Sequence, residues 1–239
     1  MKKTREHQHF EGISDKYQSA ADTWSMMYDL IQERLDQIVK GRDVLDVGNG
    51  GKFSYDTRLP RRIIAMDISP AMMKCITDPG IEKLVGDARN MNIVADASVD
   101  IIVFQLVLHH IHGASLSESI DTLDSILRSS FQKLRPGGSL VIIEGLLSKS
   151  AYRIQASLFQ LTLWILGRFG VSMIFFYNLS LFKKHVKSVF RVSDDDFEVV
   201  PLRLTGRIDP LGGSFPGLIK IPARLHPLNF TLLIIKKPC

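Results

Sequence analysis

Apolar residues fall along the chain in two alternating patterns. Between Ser19 and Lys40 they recur at three- and four-residue spacings, through Trp24, Met27, Ile31, Leu35 and Ile38, so residues 10–40 read as helical. Short unbroken apolar runs follow: DVLDVG (43–48), RIIAMD (62–67), KLVG (83–86), VDIIVFQL (99–106) and SLVIIE (139–144). Runs of this length, closed by Gly or Asp, predict buried strands. Between the last two, Leu116, Ile120, Leu123, Ile126, Leu127, Phe131 and Leu134 predict a helix over 115–134, stopped by Arg135-Pro136-Gly137-Gly138. Strands alternating with helices predict a parallel sheet covered on both faces. FEVVPLRL (197–204) and FTLLIIK (230–236) supply two further strands.

Length and composition narrow this picture. The 239 residues suit one large α/β domain, and 45% apolar with 23% charged residues is a globular balance. Two cysteines make no disulfide framework, and the basic N-terminus lacks an apolar signal core, so a cytoplasmic location is expected. The net charge of +5 is unevenly placed. From Gly145 to Ser193 there are seven basic residues and no acidic one, in the most apolar part of the chain. Arg153, Arg168 and Lys183 divide that part into two stretches of 14 residues, too short for membrane spans. With Gly167 and Gly170 at the middle break, a helical hairpin lid is expected over 145–193.

In open α/β sheets the ligand sits beyond the carboxyl ends of the strands. The first such end carries Asp46, Gly48, Asn49, Gly50 and Gly51. A dinucleotide fingerprint would need a third glycine at position 53, which is Phe. Asp46 would also repel a pyrophosphate and favour a cation. Asp67 closes the second strand, where an acid can accept both ribose hydroxyls, and Asp87 follows the third, where it can accept from an adenine amino group. Three acids at three successive strand ends favour a cationic nucleoside such as S-adenosylmethionine.

The residues VLDVGNGG (44–51), IIAMDIS (63–69), VGDARNM (85–91), SVDIIVFQLVLHHI (98–111) and LRPGGSLVIIE (134–144) resemble the class I S-adenosylmethionine-dependent methyltransferases, the ubiquinone/menaquinone-type and small-molecule group in particular. The resemblance covers roughly 40–145 and implies a Rossmann-like α/β fold. Its seven-stranded, mostly parallel sheet has helices on both faces, and an antiparallel last strand lies between the fifth and sixth. By transfer, Asp46, Gly48 and Gly50 hold the methionine part, Asp67 the ribose, and Asp87 and Ala88 the adenine, with Asn49 and Ile68 counted among the cofactor-binding residues. Gln105 lies near the cofactor and Tyr17 closes over it. Position 52 is Lys where the motif has its third glycine, and KFSYDTRLPRR has little helical period, so the first crossover helix is expected to be short or irregular. The organisation read from the chain is an N-terminal helical cap (1–40), a cofactor-binding core (41–144), the lid (145–193), and C-terminal strands (194–239) with a long loop at 205–229.

Methyl transfer needs alignment of the acceptor and sometimes removal of a proton, so no nucleophilic triad is expected. His110 and His109, after the fourth strand, are the candidate bases; His112 stands beside them. No metal site is expected. Aromatic residues in the lid point to an apolar or aromatic small-molecule acceptor, for example a secondary metabolite, methylated at O, N or C. The basic apolar lid also fits a lipid or quinone-precursor enzyme working peripherally at a membrane surface. A cofactor-binding descendant of the fold without methyl transfer is a further alternative, while nucleic acid fits an apolar surface poorly. The sequence sets no oligomeric state.

Overall fold

The structure, a computed structural model, describes residues 25–169, 171–203, 207–208, 221–222 and 226–238. Its core is a seven-stranded sheet of β1 (Asp43–Val47), β2 (Arg62–Asp67), β3 (Glu82–Val85), β4 (Val99–Gln105), β5 (Leu134–Leu147), β6 (Phe197–Pro201) and β9 (Leu228–Lys236). The order across the sheet is β3-β2-β1-β4-β5-β9-β6. β1 to β5 pair in parallel, while β9 runs antiparallel to both β5 and β6. The expected Rossmann-like arrangement is therefore present, with the last strand seated between its two neighbours. Two short strands, β7 (Arg207–Ile208) and β8 (Ile221–Pro222), pair with each other within the long loop expected at 205–229.

The period-two alternation of a strand places successive side chains on opposite faces. Leu45, Ile64, Ile102 and Leu140 pack on one face against the buried side of α3 (Leu116–Lys133). Val44, Ile63, Ile101 and Val141 pack on the other with Ile31, Leu35 and Val39 of α1 (Ser25–Val39). Both faces are covered, which is why the strands read as unbroken apolar runs. The α3 N-terminus is closed by Ser115, whose Oγ accepts the Glu118 N–H, while the Glu118 carboxylate accepts the Ala114 N–H.

At the opposite end of the strands from the glycine loop, Arg135 donates to Asp100 (2.8 Å) and contacts Asp43 (3.0 Å), and Arg61 donates to Asp43 (2.8 Å). The Arg61 hydrogen bond leads in holding the Asp43 carboxyl down at about 2. Arg135 thus staples β5 to β1 and β4. The Arg-Pro-Gly-Gly stretch, expected only to end α3, also opens β5, which starts at Leu134.

Two expectations are corrected. Residues 48–61 contain turns and no helix, so the first crossover helix, expected short or irregular, is absent. The 145–193 segment is not a two-helix hairpin. Helices α4 (Lys149–Ser157) and α5 (Phe159–Arg168) are followed by an extended strap at 171–177 and then by α6 (Leu179–Phe190). The strap buries Met173, Phe175 and Tyr177, alternate residues, under the sheet's α3 side. Its C-terminal half is tied by two backbone bonds: Phe175 N–H donates to His109 O and Leu147 N–H to Tyr177 O, each at 2.9 Å. Alternate burial favours an extended chain over a helix. α2 (Pro70–Lys74), capped by Ser69, completes the helices named here.

Candidate active site

A cleft open to solvent lies at the carboxyl ends of β1, β2, β3 and β4. Gly48 and Gly50 form one wall, with φ of 70° and 61°, conformations that side-chain-bearing residues rarely adopt. A Cβ on Gly48 would also stand 2.6 Å from the Val107 methyls, so this position tolerates no side chain. The tight turn is held by Gly48 N–H donating to Met66 O (2.7 Å).

Asp67 forms the floor between this loop and β3. It is 8% exposed, its Oδ1 accepts Ser69 N–H (2.8 Å) and its Oδ2 accepts Gly50 N–H (3.3 Å). Ile68 and Met72 continue the wall, and Asp87, Ala88 and Arg89 follow at the end of β3. The other side is apolar: Leu106, Val107 and Ile111, with His110 among them. Leu106 has a φ of 51°, a conformation that turns the chain sharply at the end of β4.

Of the residues singled out in the sequence, Gly48, Gly50, Asp67, Ile68, Asp87, Ala88 and His110 converge on this cleft. Others do not line it. Asp46 is buried behind the loop, where its Oδ2 accepts the Tyr55 hydroxyl (3.0 Å). Asn49 serves the turn itself: its Oδ1 accepts Gly51 N–H and its amide donates to Lys52 O. Gln105 ends β4 with its Nε2 buried and unpartnered. Tyr17 lies outside the described residues.

His109 is turned away from the cleft. Its Nδ1 lies 2.7 Å from the Glu144 carboxylate, its ring stacks on Phe176 at 5.0 Å, and its carbonyl receives the strap. It is a joint between β5, the turn after β4 and the strap, so its expected role as a base is withdrawn. His112 does not line the cleft either: its Nδ1 lies 2.9 Å from Gly113 O, and its Nε2 is buried without a hydrogen-bond partner. Arg89 was not anticipated. Its guanidinium grips both Asp87 oxygens at 2.7–3.0 Å, so the acid expected to accept an adenine amino group already has a cationic partner. The i, i+2 Asp-Arg spacing was the available sequence signal.

Burial raises the Asp46 carboxyl to about 7; hydrogen bonds from Tyr55 and Asn49 oppose this, and the nearby Asp67 charge adds to it. Because the folded state holds this proton more tightly than the unfolded chain, the Asp46 contribution to stability is greatest at acid pH and declines as pH rises from about 4 to about 7. A cation placed beside Asp67 favours ionised Asp46, so its binding releases up to one proton per site below pH 7. Calorimetry in buffers of different ionisation enthalpy will register that release for the native protein and none for Asp46→Asn.

The carboxylates and close-approach glycines fit a cationic nucleoside, and the residues available to hold it are Gly48, Gly50 and Asp67 with the 86–89 turn. Comparison with known proteins agrees. Residues 45–142 match the family described as "Methyltransferase domain". A Mycolicibacterium smegmatis protein assigned to the S-adenosylmethionine-dependent methyltransferases is 26% identical over 123 residues, which are 50% of this chain and 44% of that protein. The chain thus matches less than half the length of this curated relative. A structure of the complex between the Haloferax volcanii Trm112 methyltransferase activator and a protein assigned as a methyltransferase aligns over 98% of this chain and 97% of that one, with TM-score 0.64 and 16% identity. The [4+2]-cyclase SpnF aligns over 89% of this chain and 80% of its own, with TM-score 0.53 and 15% identity. These two structural matches establish a shared fold.

Proposed function

We propose that the chain, whose residues 45–142 match a methyltransferase-domain family, transfers a methyl group from S-adenosylmethionine to an O, N or C atom of an apolar or aromatic small molecule. The observation that carries this reading is the asymmetry of the cleft. Its glycine and acid side suits the cofactor, while Leu106, Val107 and Ile111 offer an apolar wall to the acceptor. The cofactor, when bound, supplies a methyl carbon already activated by its sulfonium. The protein's work is then orientation, exclusion of water and disposal of a proton. His110 is the cleft-lining imidazole, and it receives the proton that an acceptor hydroxyl or amine gives up as the new bond forms.

The test has two stages. Titration with S-adenosylmethionine and its demethylated product should show micromolar binding, and a labelled methyl group should then appear in members of an apolar acceptor panel. His110→Gln should lower transfer to hydroxyl acceptors at least a hundredfold while leaving cofactor affinity within a factor of about three. Unchanged transfer in that variant would remove His110 as the base. A second reading takes its support from the cyclase that shares this fold: binding of the cofactor without any methylated product across the panel would favour it.

A further inference from the structure

Exposed apolar side chains gather on one short part of the surface. Ile154, Leu158, Leu161, Trp164 and Ile165, on α4, the junction and α5, are 40–63% exposed, and Phe169 just beyond is 78% exposed. The backbone is almost continuous through the junction, with Leu158 N–H donating to Ile154 O and Thr162 N–H to Leu158 O. Residues 154, 158, 161 and 165 are therefore spaced along one helical stripe. The opposite side is equally apolar and is already used: Phe159 is buried, and Tyr152, Leu163 and Leu166 pack on the sheet's α3-side core. A helix apolar all round belongs in a protein core or in contact with lipid. Here one side has the core, and the other faces out.

Charge tells which partner suits that outer side. Lys149, Arg153 and Arg168 are exposed along the same helices, and no carboxylate lies within ion-pairing distance of them among the described residues. The nearest acids in the chain, Glu144 and Asp194, lie outside 145–193 altogether. The Arg168 guanidinium sits 5.8 Å from the centre of the Trp164 ring, an aromatic–cation pair with one greasy and one charged end. Among the described residues no helix is long and apolar enough to cross a membrane. A short helix pair with an aromatic-aliphatic outer face and flanking arginines is suited to lie in the headgroup boundary instead.

We propose that the α4–α5 outer face docks the protein on the surface of an anionic lipid bilayer. The apolar stripe enters the acyl boundary and Lys149, Arg153 and Arg168 meet the headgroup charge. The docking helix is joined to the cleft. Gln160 donates to Ala114 O (3.1 Å), in the segment that follows the cleft-lining His110 and Ile111, and α4 itself leaves from the end of β5. The inference is independent of methyl transfer, since it rests on a different surface.

Flotation of the full chain with vesicles tests it, using phosphatidylcholine alone and phosphatidylcholine with phosphatidylserine. The native protein should float with the anionic vesicles at low salt and less so at high salt. Leu161→Ser with Trp164→Ser should weaken flotation about a hundredfold, given the apolar area removed. Arg153→Gln with Arg168→Gln should weaken it on the order of twentyfold on anionic vesicles only. Both double variants should keep native circular dichroism and cofactor titration, because the altered side chains are exposed. Absence of flotation, or flotation indifferent to both double variants, overturns the proposal. So does light scattering showing a dimer that Leu161→Ser with Trp164→Ser turns monomeric, for then a second copy covers the face.

Discussion

Asp67→Ala should weaken S-adenosylmethionine binding about a hundredfold, the largest effect expected of any single side chain in the cleft. The carboxylate does two things there. It presents acceptor capacity to the cleft at the end of β2, where ribose hydroxyls are bound in folds of this architecture. It also accepts the N–H groups of Ser69 and Gly50, which fixes the glycine loop against the start of α2. Losing charge-assisted hydrogen bonds to a buried carboxylate costs about 1.5–3 kcal/mol each, and two such losses reach the predicted factor. Asp67→Asn keeps one carbonyl acceptor and should lose only about tenfold. Titration calorimetry on all three proteins decides the matter. Binding by the alanine variant within threefold of native would mean that Asp67 only braces the loop.

The largest stability effect should come from Glu144, which lines no part of the cleft. One of its oxygens accepts the Leu108 N–H and the other meets His109 Nδ1, both at 2.7 Å, and all three residues are at most 8% exposed. Glu144→Ala strands a backbone donor and an imidazole in a dry interior, a change of about 3–5 kcal/mol by comparison with other broken buried pairs. Urea unfolding measures it. Glu144→Gln preserves an acceptor and should cost less than half as much. An alanine variant within about 1 kcal/mol of native would show that water replaces the carboxylate. The same loss should loosen the turn that carries His110 and Ile111, so cofactor affinity should fall with stability.

How much of this was legible beforehand divides along the range of the interactions. The central strands β1, β2, β4 and β5 were readable because they are buried on both faces and stand out as runs of Val, Ile and Leu, while β3 and β6, at the two sheet edges, are largely exposed or half-buried and stand out less. The glycine loop and Asp67 were readable because backbone conformation and strand-end chemistry are local. His109 was misread: its partner lies 35 residues away and only folding brings Glu144 to it. Asp87 was read without Arg89, although the pair is nearly adjacent. The apolar run through the strap is long enough for a helix, and length alone does not separate the two. The alternation of Met173, Phe175 and Tyr177 as buried positions was the better signal. The missing helix after β1 was half visible in Asp56, Thr57 and Pro60. What replaces it, Tyr55 closing over Asp46, was not.

The position of β9 has a consequence for how the chain comes to be folded. β9 is synthesised after every strand it touches, yet it lies inside the sheet, with nine paired positions against β5 and five against β6. Until it arrives, β5 presents an open hydrogen-bonding edge carrying Leu140 and Ile142, and β6 has no place to attach. Such late, long-range closure is slow and exposes a strand edge to other chains. Residues 148–227 must therefore be held clear of that edge while it waits. The packing of α6 on α3, two amphipathic helices that both precede β9 in the chain, is one means of doing so.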